Sequence, residues 1–158
     1  MQENGINKKK KMRIEIDQSG KIEQTDMDTV IAFSNRYQYS VLITKSTKRE
    51  IFIKYKGKVK NLKYKLFCIG VYFCIRDYLH EYQLIIIDLE YRGKENLIKS
   101  ILLNFIRKTY KNFDSKIIRF GSITKNSNAH TAAIDVHRGN RKPNKIISMK
   151  EVMLKLEK

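Results

Sequence analysis

The stretch "QLIIIDLE", residues 83–90, constrains the fold more than any other part of the chain. An unbroken apolar run of this length, rich in isoleucine, describes a strand buried on both faces. Strands of that kind form the centre of parallel or mixed sheets whose faces are covered by helices. The flanking segments provide such helices. Residues 61–81 are apolar on most faces and read as a long, deeply packed helix. "KENLIKSILLNFIRKTY" is amphipathic, with Leu97, Ile101, Phe105 and Tyr110 near helical spacing.

The remaining punctuation sets the element order. "MRIEID" reads as a first strand ending at Asp17, followed by the turn "QSG". "TVIAFSN" and "YSVLIT" read as two more strands joined as a hairpin. Residues 48–56 fit two descriptions: a helix opened by the capping box "TKRE", or a strand alternating Ile51, Ile53 and Tyr55. "KIIRFGSIT" is a fifth strand, and "SNAHTAAIDVHRG" is a helix capped by Ser127 and stopped by Gly139. Ser148 and Glu151 form a capping box for a terminal helix. The expected divisions are a basic tail over 1–11, a folded domain over 12–139, and a basic linker with the C-terminal helix over 140–158.

Charge narrows the partners. The 158 residues carry 33 Lys plus Arg against 16 Asp plus Glu, a net charge of +17. Such an excess favours a polyanion, because cationic side chains release counterions from phosphate backbones. A nucleic acid is the expected partner, DNA ahead of RNA; the alternative is a merely soluble basic protein. Lys8 to Lys11 and the segment "RGNRKPNK" are the candidate phosphate contacts, the latter through Arg138, Arg141, Lys142 and Lys145. Cys68 and Cys74 sit in an apolar run without a CxxC partner, which reads as buried thiols in a cytoplasmic protein. No run reaches the ~18 apolar residues of a membrane span, and the N-terminus has no secretory h-region. Nucleotide hydrolysis, esterase and zinc chemistry find no glycine loop, GxSxG or CxxC to support them.

The order of elements, together with "IEIDQSG" and the acids of "IIIDLE", resembles the ribonuclease H-like superfamily. That resemblance covers residues 12–139. It implies an α/β fold with a five-stranded mixed sheet, helices on both faces, and strand one beside strand four. It also implies metal-binding carboxylates on the first strand, the end of the fourth and the last helix. In this chain those are Asp17, Asp88 with Glu90, and Asp135. The first long helix carries no acid before Asp77, which departs from ribonucleases H proper; the strand-four glutamate is closer to the Holliday-junction resolvases. Symmetric cutting of a junction favours a homodimer.

Clustered acids suit phosphodiester cleavage, which uses three or four carboxylates to hold two Mg²⁺ or Mn²⁺ ions about 4 Å apart. Each residue also has a structural reading. Asp17 can open a turn through its side chain, and Asp88 and Glu90 can pair with Lys or Arg. Asp135 lies on one flank of its helix, with His130 and His137 on the other. Two turns, about 10 Å, separate the histidines, too far for one ion. His130 either reaches the scissile phosphate as an acid or base, or is a structural histidine. Two functions follow: a metal-dependent nuclease on DNA or RNA, with junctions as one substrate, or a catalytically silent nucleic-acid-binding domain of the same fold.

Overall fold

The structure is a computed structural model that describes residues 12–157; the Lys8–Lys11 tail lies outside the described residues. The strands are β1 (Arg13–Ser19), β2 (Thr29–Ser34), β3 (Gln38–Ile43), β4 (Leu84–Asp88), β5 (Ile118–Gly121) and β6 (Lys145–Ile146). The helices are α1 (Lys45–Tyr55), α2 (Leu62–Ile75), α3 (Glu95–Arg107), α4 (Asn128–His137) and α5 (Met149–Leu156). The sheet is mixed, in the order β5-β4-β1-β2-β3-β6. β1 runs antiparallel to β2 and parallel to β4, so the first strand lies beside the fourth as expected.

Alternation along the central strands divides the core into two layers. On β2, Ile31 and Phe33 point into the large core with α2, α3 and α5, while Val30 and Ala32 meet Ala132, Ala133 and Val136 of α4. The small side chains of α4 let it lie close against β1 and β2. α2 is buried almost all round, and Gly70 explains how it approaches the sheet. A Cβ there would sit 2.4 Å from the Ile31 methyl. Cys68 and Cys74 are free and buried in this helix, and burial pushes both thiols up.

One open alternative is resolved and two local expectations change. Residues 48–55 are helical, because Lys48, Ile51 and Tyr55 form the buried stripe while Ile53, 84% exposed, breaks the strand alternation. The cap of α1 is Thr44, whose hydroxyl accepts from the Thr47 amide at 3.1 Å, and not the expected Thr47–Glu50 box. The expected helix over 61–81 stops at Ile75 and continues as a short 3-10 turn, Arg76–Tyr78.

The sheet has six strands among the described residues, not five. The sixth is two residues long, too short for any periodic signal, and is held by a local clamp. Asn144 takes the Ser40 amide on its side chain at 2.9 Å and gives its own amide to the Ser40 carbonyl at 3.0 Å. Ile147 and Val152 beyond it are fully buried, so the segment read as linker and terminal helix completes the main core. The Ser148–Glu151 capping box of α5 is present.

Candidate active site

Parallel pairing of β1 with β4 brings the first acids together. The register runs Arg13 with Leu84 through Ile16 with Ile87, and one further step sets Asp17 level with Asp88. On β1, Ile14 and Ile16 face the main core, which turns Glu15, Asp17 and Ser19 toward α4. All three are engaged there. Ser127 donates to Glu15 at 3.0 Å, His130 Nδ1 meets Asp17 Oδ2 at 2.8 Å, and His137 Nδ1 donates to the Ser19 carbonyl at 3.1 Å. α4 is therefore stitched to β1 by its N-cap and by both histidines.

Asp17 is 5% exposed. Its Oδ1 accepts the Gln18 amide at 2.8 Å. Burial raises its pKa above the usual carboxylate value and the Asp88 charge adds to that, while the His130 bond pulls the other way. Asp88 closes β4, and its Oδ1 accepts the Ile123 amide at 2.9 Å. Glu90 lies two residues beyond it. Burial raises its pKa, helped by Asp88 and Asp17 and opposed by Lys21 and Gln18. The Lys21 ammonium stands 4.0 Å from Glu90 and is half exposed, a contact worth little by itself. Asp88 thus acts as a like charge on both Asp17 and Glu90, and Asp17 on Glu90.

Asp135 does not join them. Five residues along a helix turn it about 140° from His130, and the histidine flank is the one against β1. The groups acting most strongly on Asp17 and Glu90 do not include it. α4 contributes an imidazole where an acid was expected. The basic segment after α4 also divides. Arg138 and Lys142 are exposed, and Arg141 donates to Gln38 at 2.7 Å. Lys145 instead pairs with Glu151 at 2.7 Å and lies over the Phe73 ring. It anchors α5 and is not available as a phosphate contact.

Sequence reasoning missed the loop that frames the acids. Tyr91, next to Glu90, is buried; its hydroxyl accepts the Ile22 amide at 3.3 Å and donates to Glu23 at 3.3 Å. Lys63 stands over the rings of Tyr64 and Tyr91, at 5.0 and 5.3 Å, and Lys94 over Tyr64 at 5.9 Å. Cations and aromatic rings therefore border the Glu90 side of the site. The buried Gln18 Oε1 has no partner among the described residues.

Lys48 secures the same loop. Fully buried on α1, its ammonium donates to the carbonyls of Lys21 and Gln24 and to the Thr29 hydroxyl, at 3.1, 2.6 and 2.9 Å. A lysine in register with Ile51 and Tyr55 was the available signal. Burial lowers its pKa from 10.5 to about 8, against the pull of Asp28, Asp26 and Glu23. Between those values the unfolded chain keeps a proton that the folded chain has released. The contribution of Lys48 to stability therefore rises with pH across that window and is flat below it. Lys48→Met should remove this rise. At pH 7 it should cost about 1 to 3 kcal/mol, because the acceptors lose their donor. Denaturant melts at pH 7 and pH 9.5 measure both effects.

No family model, curated protein or solved structure matches the chain. Among the described residues, no helix is long and apolar enough to cross a membrane.

Proposed function

We propose that the chain is a metal-dependent nuclease of ribonuclease H-like fold acting on DNA or RNA phosphodiesters, with branched junctions as one substrate class. The observation that carries this reading is the level position of Asp17 and Asp88 on adjacent parallel strands, with Glu90 just beyond. Burial and mutual repulsion disfavour the ionised forms of Asp17 and Glu90. Such a cluster is costly to keep charged unless a cation neutralises it.

A hard divalent cation, Mg²⁺ or Mn²⁺, fits the all-oxygen donor set. Asp17 accepts one hydrogen bond on each oxygen, which leaves lone pairs for a further ligand. Among the described residues no three His, Cys, Asp or Glu are already placed to hold an ion together. Glu90, which follows the end of the strand, therefore has to turn toward Asp17 and Asp88 on binding. Without Asp135 the three carboxylates suit one ion better than two. When bound, the ion lowers the pKa of an attacking water and offsets charge on the phosphate.

The chain supplies the other parts. An ionised Asp17 has no proton to give, so His130 carries its hydrogen on Nδ1, and Nε2 on the far side of the ring is free to accept one. With 27% of its side chain exposed, His130 can take a proton from water or return one to the leaving oxygen. Lys21 and Lys94 would hold phosphates beside the acids, while Lys63 is paired with Glu23 at 3.4 Å.

The second reading is a nucleic-acid-binding domain without cleavage. It is favoured by the same His130–Asp17 bond, which satisfies Asp17 without an ion. Calorimetry with Mn²⁺ separates the two. The nuclease reading expects binding that Asp17→Asn and Glu90→Gln each remove. Heat that is absent, or unchanged by both substitutions, leaves the binding domain as the better account.

A further inference from the structure

We propose that the outer face of α3, with Lys65 of α2 and Lys155 of α5, is a second phosphate-binding surface, which takes the backbone of duplex DNA. This rests on the nucleic-acid part of the reading above and is independent of cleavage.

The sequence of α3 separates two faces. Ile98, Leu102 and Ile106 are buried, while Asn96, Lys99, Ser100, Asn104 and Arg107 recur at three- and four-residue steps on the outside. Two hollows lie along that stripe. One, of about 500 Å³, is bounded by Lys65, Arg107, Lys108 and Lys155. The other, of about 390 Å³, is bounded by Asn96, Lys99, Ser100 and Ser115. They share Asn104 and Arg107, so the two form one continuous track. No Asp or Glu lines it among the described residues. The polar side chains are all cations or neutral groups able to donate.

Two of the cations are already positioned. Arg107 Nε and Nη2 both donate to the Phe113 carbonyl, at 3.3 and 3.0 Å. Lys155 is held 4.1 Å over the Tyr72 ring. From Asn96 to Arg107 the stripe is about 16 Å long at 1.5 Å per residue, long enough to meet more than one phosphate of the same backbone. It begins six residues beyond Glu90, so a backbone lying on it leads away from the acids. A membrane surface is a poorer match. The exposed large apolar residues Tyr37, Ile53, Ile146 and Leu154 line neither hollow, and an interfacial face inserts apolar side chains.

The test is the salt dependence of binding to a fluorescent DNA duplex, measured by anisotropy in EDTA. The double variant Lys65→Gln/Lys99→Gln is compared with Lys65→Arg/Lys99→Arg and with wild type. Losing two phosphate contacts should lower the log–log slope by about 1.8. Wild-type affinity should then fall about tenfold more than the variant's between 50 and 200 mM salt, and the arginine pair should restore the slope. An unchanged slope in a glutamine variant that melts like wild type overturns the proposal. So does a defect seen only with phosphatidylserine vesicles and not with DNA. Because EDTA removes divalent ions, a lowered slope supports the track even if no cleavage is ever found. An unchanged slope leaves the acid site untouched.

Discussion

Asp17→Asn is expected to abolish divalent-ion-dependent cleavage while nucleic-acid binding persists. Asparagine keeps the size of the side chain and one acceptor for the Gln18 amide, but it loses the charge that the proposed cation would need and that meets His130. Metal-ion stabilisation is worth several kcal/mol, so the rate should fall by about a thousandfold or more. His130→Gln should cost about a hundredfold or more if the imidazole transfers a proton. Stability should move the opposite way. The folded pKa of Asp17 is raised from 3.8, so above that value the folded state binds more protons than the unfolded state. Its contribution to stability falls as pH rises through that range. Replacing it by a neutral side chain removes that penalty, and the variant should melt at or above the wild-type temperature at pH 7. Cleavage that survives the substitution, or a marked loss of melting temperature, contradicts this account of Asp17.

Gly20→Ala is expected to be the most damaging small substitution near the site, costing about 3 kcal/mol. Gly20 follows β1 with φ of +83°, where a side chain is strained, and a Cβ there would lie 2.2 Å from the Asp28 carbonyl and 2.8 Å from His137. The left-handed conformation accounts for about 1 to 2 kcal/mol and forced displacement for about 1 to 3 more. The carbonyl is backbone and cannot swing aside, so the loop that carries Lys21 and Ile22 must shift. Gly57→Ala supplies the control. Its φ is +77°, with nothing within 4 Å of the added carbon, so only the conformational part should appear. Equal midpoints for the two variants in denaturant would show that the close approach at Gly20 carries no cost.

What could be read from the chain had a local or periodic cause. The apolar run of β4, the hairpin of β2 and β3, the amphipathic α3 and the caps at Ser127 and Ser148 each need only neighbouring residues. The placement of Asp17 near Asp88 followed from the element order once β1 was set beside β4. Two features were harder. β6 has two residues and depends on Asn144 meeting Ser40 from over a hundred positions away. The pattern over 48–56 fitted both periods until burial chose Lys48 and rejected Ile53.

By itself, then, the sequence determined the α/β class, five of the six strands among the described residues, the helices other than the undecided 48–56, and the acids Asp17 on β1 and Asp88 on β4. Those depend on hydrophobic period and local capping, which act over a few residues. The tertiary structure alone decided which flank of α4 faces β1. Ala129, Ala132, Ala133 and Val136 dictate that the helix docks, but the stripe permits either flank to meet Asp17. Packing on Val30 and Ala32, with Ser127 on Glu15, turned His130 and His137 inward and Asp135 away. A rotation about a helix axis leaves periodicity unchanged and is set by contacts between residues far apart in the chain, here more than a hundred positions.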